Sequence, residues 1–219
     1  MSKVSVAVVG AAGRMGRAVI SLVLESELFS LVGALDSKHG DWIGRDAGEL
    51  SGLSACGVLV SSEIPNFLDG ADVVVDFSTP DSTEAILAAC IERKIPVVVG
   101  TTGLSEQSMS LANQAAKQCA VIVAPNYSEG VTVLFYLAEI ASRLLGEFDA
   151  EIVEMHHRHK IDAPSGTALG LAKAVARARE LGPDSFVSER KGQLVLAAKR
   201  KLALWPYVAV VSWGITRCA

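Results

Sequence analysis

Short runs of β-branched residues alternate with helical patterns along the first half of the chain. Val4–Val9 reads as a buried strand and Leu31–Leu35 as the next; Ala71–Phe77 (ADVVVDF), Pro96–Gly100 and Ala120–Ala124 follow, with a short strand at Gly57–Val60. Met15–Glu27 repeats apolar residues with a helical period and puts Val19, Leu22 and Val23 on one face. Asp81–Arg93 and Ser105–Gln118 also predict helices; Asp81 suits an N-cap, with Glu84 three residues on as its capping-box partner. Residues 37–56, rich in Gly, Ser and Asp, read as loop. Strands of continuous Val and Ile separated by helices specify an α/β domain whose parallel sheet is covered on both faces.

After Asn126 the rhythm changes. Val131–Leu145 predicts a long helix, Ala150–Met155 a strand followed by a dense polar run, and Gly166–Leu181 an Ala-rich helix. This is a second, smaller α+β domain rather than another strand–helix repeat. The expected organisation is residues 1–126, then 127–193, then a tail of different character at 194–219.

Strand Val4–Val9 runs directly into Gly10-Ala11-Ala12-Gly13-Arg14-Met15-Gly16, and a helix follows. Such a turn needs glycine for positive φ and for close backbone approach to a pyrophosphate, while the helix N-terminus offers free N–H groups. The register is GxxGxxG, with Ala12 where the commoner fingerprint has its second glycine. Asp36, at the end of the second strand, stands where an acidic residue accepts hydrogen bonds from the adenosine ribose. Lys38 offers a partner for a 2′-phosphate, so NADH and NADPH both remain open. The competing reading is a tight strand–helix turn without a ligand. Two more loops lie at strand ends: Asp76-Phe77-Ser78-Thr79-Pro80, and Gly100-Thr101-Thr102-Gly103, whose hydroxyls and amides suit a nicotinamide carboxamide or ribose.

Three of the four histidines, His156, His157 and His159, precede Lys160 in the run EMHHRHKIDAPSGTA. A metal site is disfavoured: along a strand His156 and His157 occupy opposite faces, no Cys or acidic pair completes a shell, and Arg158 and Lys160 repel a cation. An anion site with an acid catalyst fits better than a solvated charged loop. Histidine donates protons near neutral pH. Gly166 and Thr167, opening the Ala-rich helix, offer backbone N–H groups to a carboxylate.

Composition narrows the classes further. Half of the 219 residues are hydrophobic, and 20 basic against 24 acidic residues leave a net charge of −4. General disorder is excluded and a bulk-charge case for nucleic acid is absent. The longest weakly polar stretch, Leu202–Ile215, is shorter than the ~20 residues of a membrane span and contains Pro206. Gly10, Arg14 and Arg17 interrupt what Lys3 and Val4–Val9 might suggest of a signal peptide. Cys56, Cys90, Cys119 and Cys218 form no CxxC pair and read as reduced thiols. A cytoplasmic protein is expected.

GAAGRMG, DFSTP, GTTG, APNYS and EMHHRHKIDAPSGTA occur in an order and spacing that resemble the 4-hydroxy-tetrahydrodipicolinate reductase (dihydrodipicolinate reductase) family of diaminopimelate and lysine biosynthesis. The resemblance covers residues 1 to about 193, and the histidine–lysine–PSGT segment is its most specific part. It implies a Rossmann-type domain plus a mixed-sheet domain that binds substrate and forms a homotetramer. By the same resemblance, Gly10, Ala11, Ala12, Gly13, Arg14 and Met15 hold the pyrophosphate and Asp36 the ribose. Gly100, Thr101, Thr102, Ala124, Pro125, Asn126 and Tyr127 meet the nicotinamide end. His156 and Lys160 handle protons, and His157, Gly166 and Thr167 bind a small dicarboxylate substrate. No metal is implied.

From Leu194 the residues depart from the family's pattern. Reading from the third base of the Gln193 codon restores it: codons for Trp213–Cys218 can contain one for Gly-Asp-His-Thr-Val. A single frameshift near Gln193 accounts for the tail, and leaves Leu202, Leu204, Trp205, Tyr207, Val208, Val210 and Trp213 expected to lack packing partners and the tetramer in doubt.

Overall fold

The computed structural model describes residues 2–156, 164–182, 186–187 and 202–208. The chain divides into two compact units, Met1–Pro125 and Asn126–Ala219, one residue from the expected boundary.

The first unit is a six-stranded, all-parallel sheet: β1 (Val4–Val9), β2 (Phe29–Leu35), β3 (Val60–Ser61), β4 (Val73–Asp76), β5 (Val97–Val99) and β6 (Val121–Val123). Their order is β3-β2-β1-β4-β5-β6. The strand order therefore reverses between β1 and β4, where their C-terminal ends leave a crevice. Helices α1 (Arg14–Glu25), α4 (Pro80–Arg93) and α5 (Glu106–Ala115) are the crossovers. Val6, Val8, Ile20 and Val23 fill one side of the sheet, and Ala7, Val9, Val74, Ile86, Leu87, Val97 and Val99 the other. That two-sided burial is why β1 reads as an unbroken apolar run.

Two details differ from expectation. The N-cap of α4 is Thr79, not Asp81, because Pro80 with its fixed φ takes the first helical position and pushes Asp81 into the first turn. Glu84 then closes no capping box; it accepts hydrogen bonds from the hydroxyls of Ser105 (2.6 Å) and Ser108 (2.8 Å), which hold its carboxyl below the usual range.

The segment 37–56 is not all loop. Asp46 caps a single turn, α2 (Ala47–Leu50), and a second turn, α3 (Ile64–Phe67), follows β3. The Asp46 carboxylate accepts from the amides of Gly48 (2.8 Å), Glu49 (3.3 Å), Cys56 (3.0 Å) and Gly57 (2.7 Å). The bond from Cys56 is the largest of the effects that lower its pKa to about 2, against an opposing penalty from burial. One carboxylate thus ties the start of α2 to Cys56 and Gly57, while Ala47 and Leu50 pack into the core beside it.

The second unit holds α6 (Glu129–Leu144), β7 (Ala150–His156), α7 (Gly166–Ala178), β8 (Phe186–Val187) and β9 (Leu202–Val208). Ile152 on β7 and Ala168, Ala172 and Val175 on α7 form its core, with Ala138 of α6 packed against them. Gly170 lets the α6 ring of Phe135 approach: a Cβ there would lie 2.7 Å from it. The described strands run in the order β7-β9-β8 and all pair in parallel, not in the mixed sense the resemblance implies. A helical crossover, β7–α7–β8, returns the chain in the same direction. The backbone of Leu202–Val208 pairs along its length with β7 and, at Leu202 and Ala203, with β8. β8 pairs only with Leu202 and Ala203, so Pro206, opposite Glu154, sits where no described strand needs its missing N–H on the far edge.

Candidate active site

In the first unit a cavity of about 550 Å³ opens at the crevice. Gly10, Ala12 and Gly13 line it after β1, Asp36, Ser37 and Lys38 after β2, and Phe77, Ser78 and Thr79 after β4, with Trp42, Ser62 and Ile64 on the β3 side.

The three glycines have separate reasons. Gly10 has φ +74°, and a Cβ there would lie 2.3 Å from the Phe77 carbonyl oxygen. A Cβ on Gly16 would lie 2.0 Å from the Gly10 carbonyl oxygen, so this glycine seats α1 against the loop. Gly13 meets only that same oxygen, at a tight 3.2 Å, and it lines the cavity.

The loop is held from below. The amides of Gly10 and Ala11 both donate to the Leu35 carbonyl (2.9 and 3.0 Å), Gly13 donates to Gly10 (3.0 Å), and Ala12 donates to Asp36 Oδ2 (2.8 Å). Asp36 Oδ1 accepts from the amide of Ser37 (2.7 Å). Asp36 therefore already works as a clamp between the glycine loop and β2, with the second lone pair of each oxygen left for a ribose hydroxyl. The first-turn amides of Arg14, Met15 and Gly16 have no intrahelical acceptor and are the donors left at the positive end of α1. This donor set and the cavity lined by Gly13 fit a dinucleotide pyrophosphate.

Asp76 organises the adjoining loops. It is fully buried and accepts from the Ser78 amide (3.0 Å), the Ser78 hydroxyl (2.5 Å), the Thr83 hydroxyl (2.6 Å) and the Thr101 hydroxyl (3.3 Å). Thr101 in turn accepts from the Ser78 amide at 3.0 Å. The Thr101 hydroxyl, expected to meet the nicotinamide end, is thus engaged inside the protein; Thr102 is exposed. Gly100 packs under Phe77, whose ring would lie 2.0 Å from a Cβ there. Gly100, Thr101, Thr102, Ala11, Arg14 and Met15 are not among the residues lining the cavity. Ala124 closes β6 through a bond to the Val99 carbonyl (3.1 Å). A carboxylate at the end of an apolar strand was the only hint of this network in the sequence.

In the second unit, Ser165 caps α7: its Oγ accepts from the Ala168 amide at 3.0 Å. Glu154 of β7 accepts from both the Ser165 amide (2.8 Å) and the Ser165 hydroxyl. Gly166 and Thr167 are the first two residues of the helix, and their amides, like those of any first turn, have no intrahelical acceptor. At the start of the unit Asn126 Oδ1 accepts from the Ser128 amide (2.6 Å), and Tyr127 is exposed. The backbone of His156 pairs with Val208 at the end of β7. His157 and Lys160 lie outside the described residues.

The family model for the N-terminal part of dihydrodipicolinate reductase matches residues 4–127, and that for its C-terminal part matches 130–204. The chain belongs to the dihydrodipicolinate reductase family. The 4-hydroxy-tetrahydrodipicolinate reductase of Halorhodospira halophila is 48% identical over 180 residues, covering 82% of this chain and 67% of that one. That of Alkalilimnicola ehrlichii is 47% identical over 172 residues, covering 78% and 64%. The chain thus spans about two thirds of the length of these curated relatives. A dipicolinate-bound dihydrodipicolinate reductase from Paenisporosarcina sp. TG-14 superposes with a TM-score of 0.67 at 26% identity, covering 95% of this chain and 80% of that one. The C-terminal match runs past Gln193, so this reductase-family chain retains some family pattern into the first part of its unusual tail. No helix among the described residues is long and apolar enough to cross a membrane.

Proposed function

We propose that this chain reduces 4-hydroxy-tetrahydrodipicolinate, a cyclic imine dicarboxylate, in diaminopimelate and lysine biosynthesis. The carrying observation is the cavity at the β1/β4 crevice, lined by Gly10, Ala12, Gly13 and Asp36, in a chain matched by both family models. NADH or NADPH, when bound, supplies a hydride. The glycine loop and the α1 amides hold the pyrophosphate, and Asp36 the ribose. His157 and the amides of Gly166 and Thr167 hold the substrate carboxylates. His156, with Lys160 as a second donor, delivers a proton, and the 4-hydroxyl leaves as water, so that the substrate, NAD(P)H and one proton give tetrahydrodipicolinate, NAD(P)+ and water. Holding both reactants in place converts an encounter between two solutes into an internal transfer.

Loss of NADH absorbance with freshly generated substrate tests the reading. His156→Ala should lower turnover by roughly 10²–10⁴, the usual worth of a general acid, with NADH affinity unchanged. NADH binding without turnover in the parent chain would leave a dinucleotide-binding remnant instead. We place the activity in the cytoplasm, where both cofactors circulate. We expect no homotetramer from this chain, because the residues after 204 lie outside the match to the family's C-terminal part; light scattering checks that.

A further inference from the structure

A serine N-cap needs only its hydroxyl oxygen, which accepts from the third amide of the helix. Ser165 does this, and its own N–H and O–H are both gripped by Glu154 as well. The grip ties the N-terminus of α7 to β7 across eleven positions of sequence, and Ser165 is only 6% exposed. Leu169 bonds back to the Ser165 carbonyl at 3.0 Å, so Ser165 is the fixed point from which the first turn is built. A carboxylate beside the positive end of a helix is favourable, and because the Ser165 hydroxyl already caps α7, the added effect of Glu154 is to hold Ser165 itself in place.

We infer that Glu154 is a positioning residue. By holding Ser165 through two hydrogen bonds it fixes the direction in which the Gly166 and Thr167 amides face one carboxylate of the substrate. The inference rests on the proposed reductase reading for the role of those two amides, and adds the residue that aims them. Glu154 transfers no proton and touches no substrate. It also couples the two halves of the motif, since β7 runs from Glu154 straight to His156. The strand that carries the proposed acid thereby sets the seat of the carboxylate.

The test is calorimetric titration of the full chain with dipicolinate in the presence of saturating NADH. Glu154→Ala should weaken dipicolinate binding roughly tenfold to a hundredfold, as expected when ligating donors lose their aim. NADH affinity and helical circular dichroism should stay as in the parent. Glu154→Gln keeps an acceptor for the Ser165 amide but cannot accept its hydroxyl proton on the amide nitrogen, so it should recover part of the loss. Ser165→Ala and Glu154→Ala combined should lose less than the product of the single losses, because they break a shared contact. Dipicolinate binding by Glu154→Ala equal to the parent's overturns the inference. So does a loss that follows falling helical signal in both Glu154 variants, which marks a purely structural role. Failure of the parent chain to bind dipicolinate while it binds NADH overturns the reductase reading itself, and the inference with it.

Discussion

Asp76→Ala removes the one acceptor shared by three hydroxyls and an amide around the β4 end. Hydrogen bonds to a charged group are worth about 1.5–3 kcal/mol each. Three of the four contacts are 3.0 Å or shorter, and the site is fully buried. The gross loss is offset by relief of the cost of burying the charge and by hydroxyls turning to other acceptors. A net loss of about 3–5 kcal/mol is expected, as when one side of a buried charged contact is deleted. That is a large part of a typical stability of ~5–15 kcal/mol. Asp76→Asn keeps an oxygen for the Ser78 amide and needs only the Thr83 hydroxyl to accept instead of donate, so it should cost about 1–2 kcal/mol. Urea unfolding followed by circular dichroism gives both values. Ser78 lines the cavity, so NADH affinity should fall in the same order, Ala beyond Asn. Equal small effects of the two substitutions would refute the argument that Asp76 holds these loops as an acceptor.

Gly16→Ala should destabilise the first unit by several times the ~1 kcal/mol scale of an ordinary substitution, since its Cβ would lie 2.0 Å from a backbone oxygen. Gly13→Ala, whose Cβ would lie 3.2 Å from the same oxygen, should cost far less stability than Gly16→Ala and weaken NADH binding, which fluorescence titration measures. Asp46 has a pKa lowered from 3.8 to about 2, so its stabilising effect is full above the ordinary value and is lost as pH falls towards the lowered one; Asp46→Asn should flatten that acid limb in melts taken across it. Cys90 is fully buried, and burial, then neighbouring Cys119, then Asp76 push its thiol up to about 12; a thiol reagent should modify Cys90 only on unfolding, as peptide mapping would show.

The sheet was legible because its signal is redundant. Strands β1, β4, β5 and β6 are Val-rich runs, and the crossover helices between them carry apolar residues to bury. The glycine loop was legible for the same reason, with strand, turn and helix agreeing on one reading. What escaped the sequence is held by single carboxylates. Nothing in residues 37–56 marks Asp46 as the acceptor for four amides, because amides carry no residue code. Asp81 looked like the cap of α4 by its chemistry, yet Pro80 decided the start by its fixed φ. Asp36 is a third case. Its spacing from the glycine loop points to a ribose, and the structure adds that it first clamps Ala12.

Asp36, Asp46, Asp76 and Glu154 share one physical device. Each accepts from backbone amides or hydroxyls of a loop. The ion pairs among the described residues, Arg93–Asp69, Arg143–Glu139 and Arg177–Glu139, lie with at least one partner well exposed, away from the cavity lining. Amides and hydroxyls satisfy the carboxylates of Asp36, Asp46, Asp76 and Glu154. They also fix direction, because an N–H bonded at 2.7–3.0 Å tolerates little rotation of its peptide plane. The loops that would meet a dinucleotide and a dicarboxylate are therefore anchored by acceptors buried beneath them, while the donors that face outward remain unpaired by the fold. That division of labour suits a negatively charged protein to the two anion-binding seats proposed above.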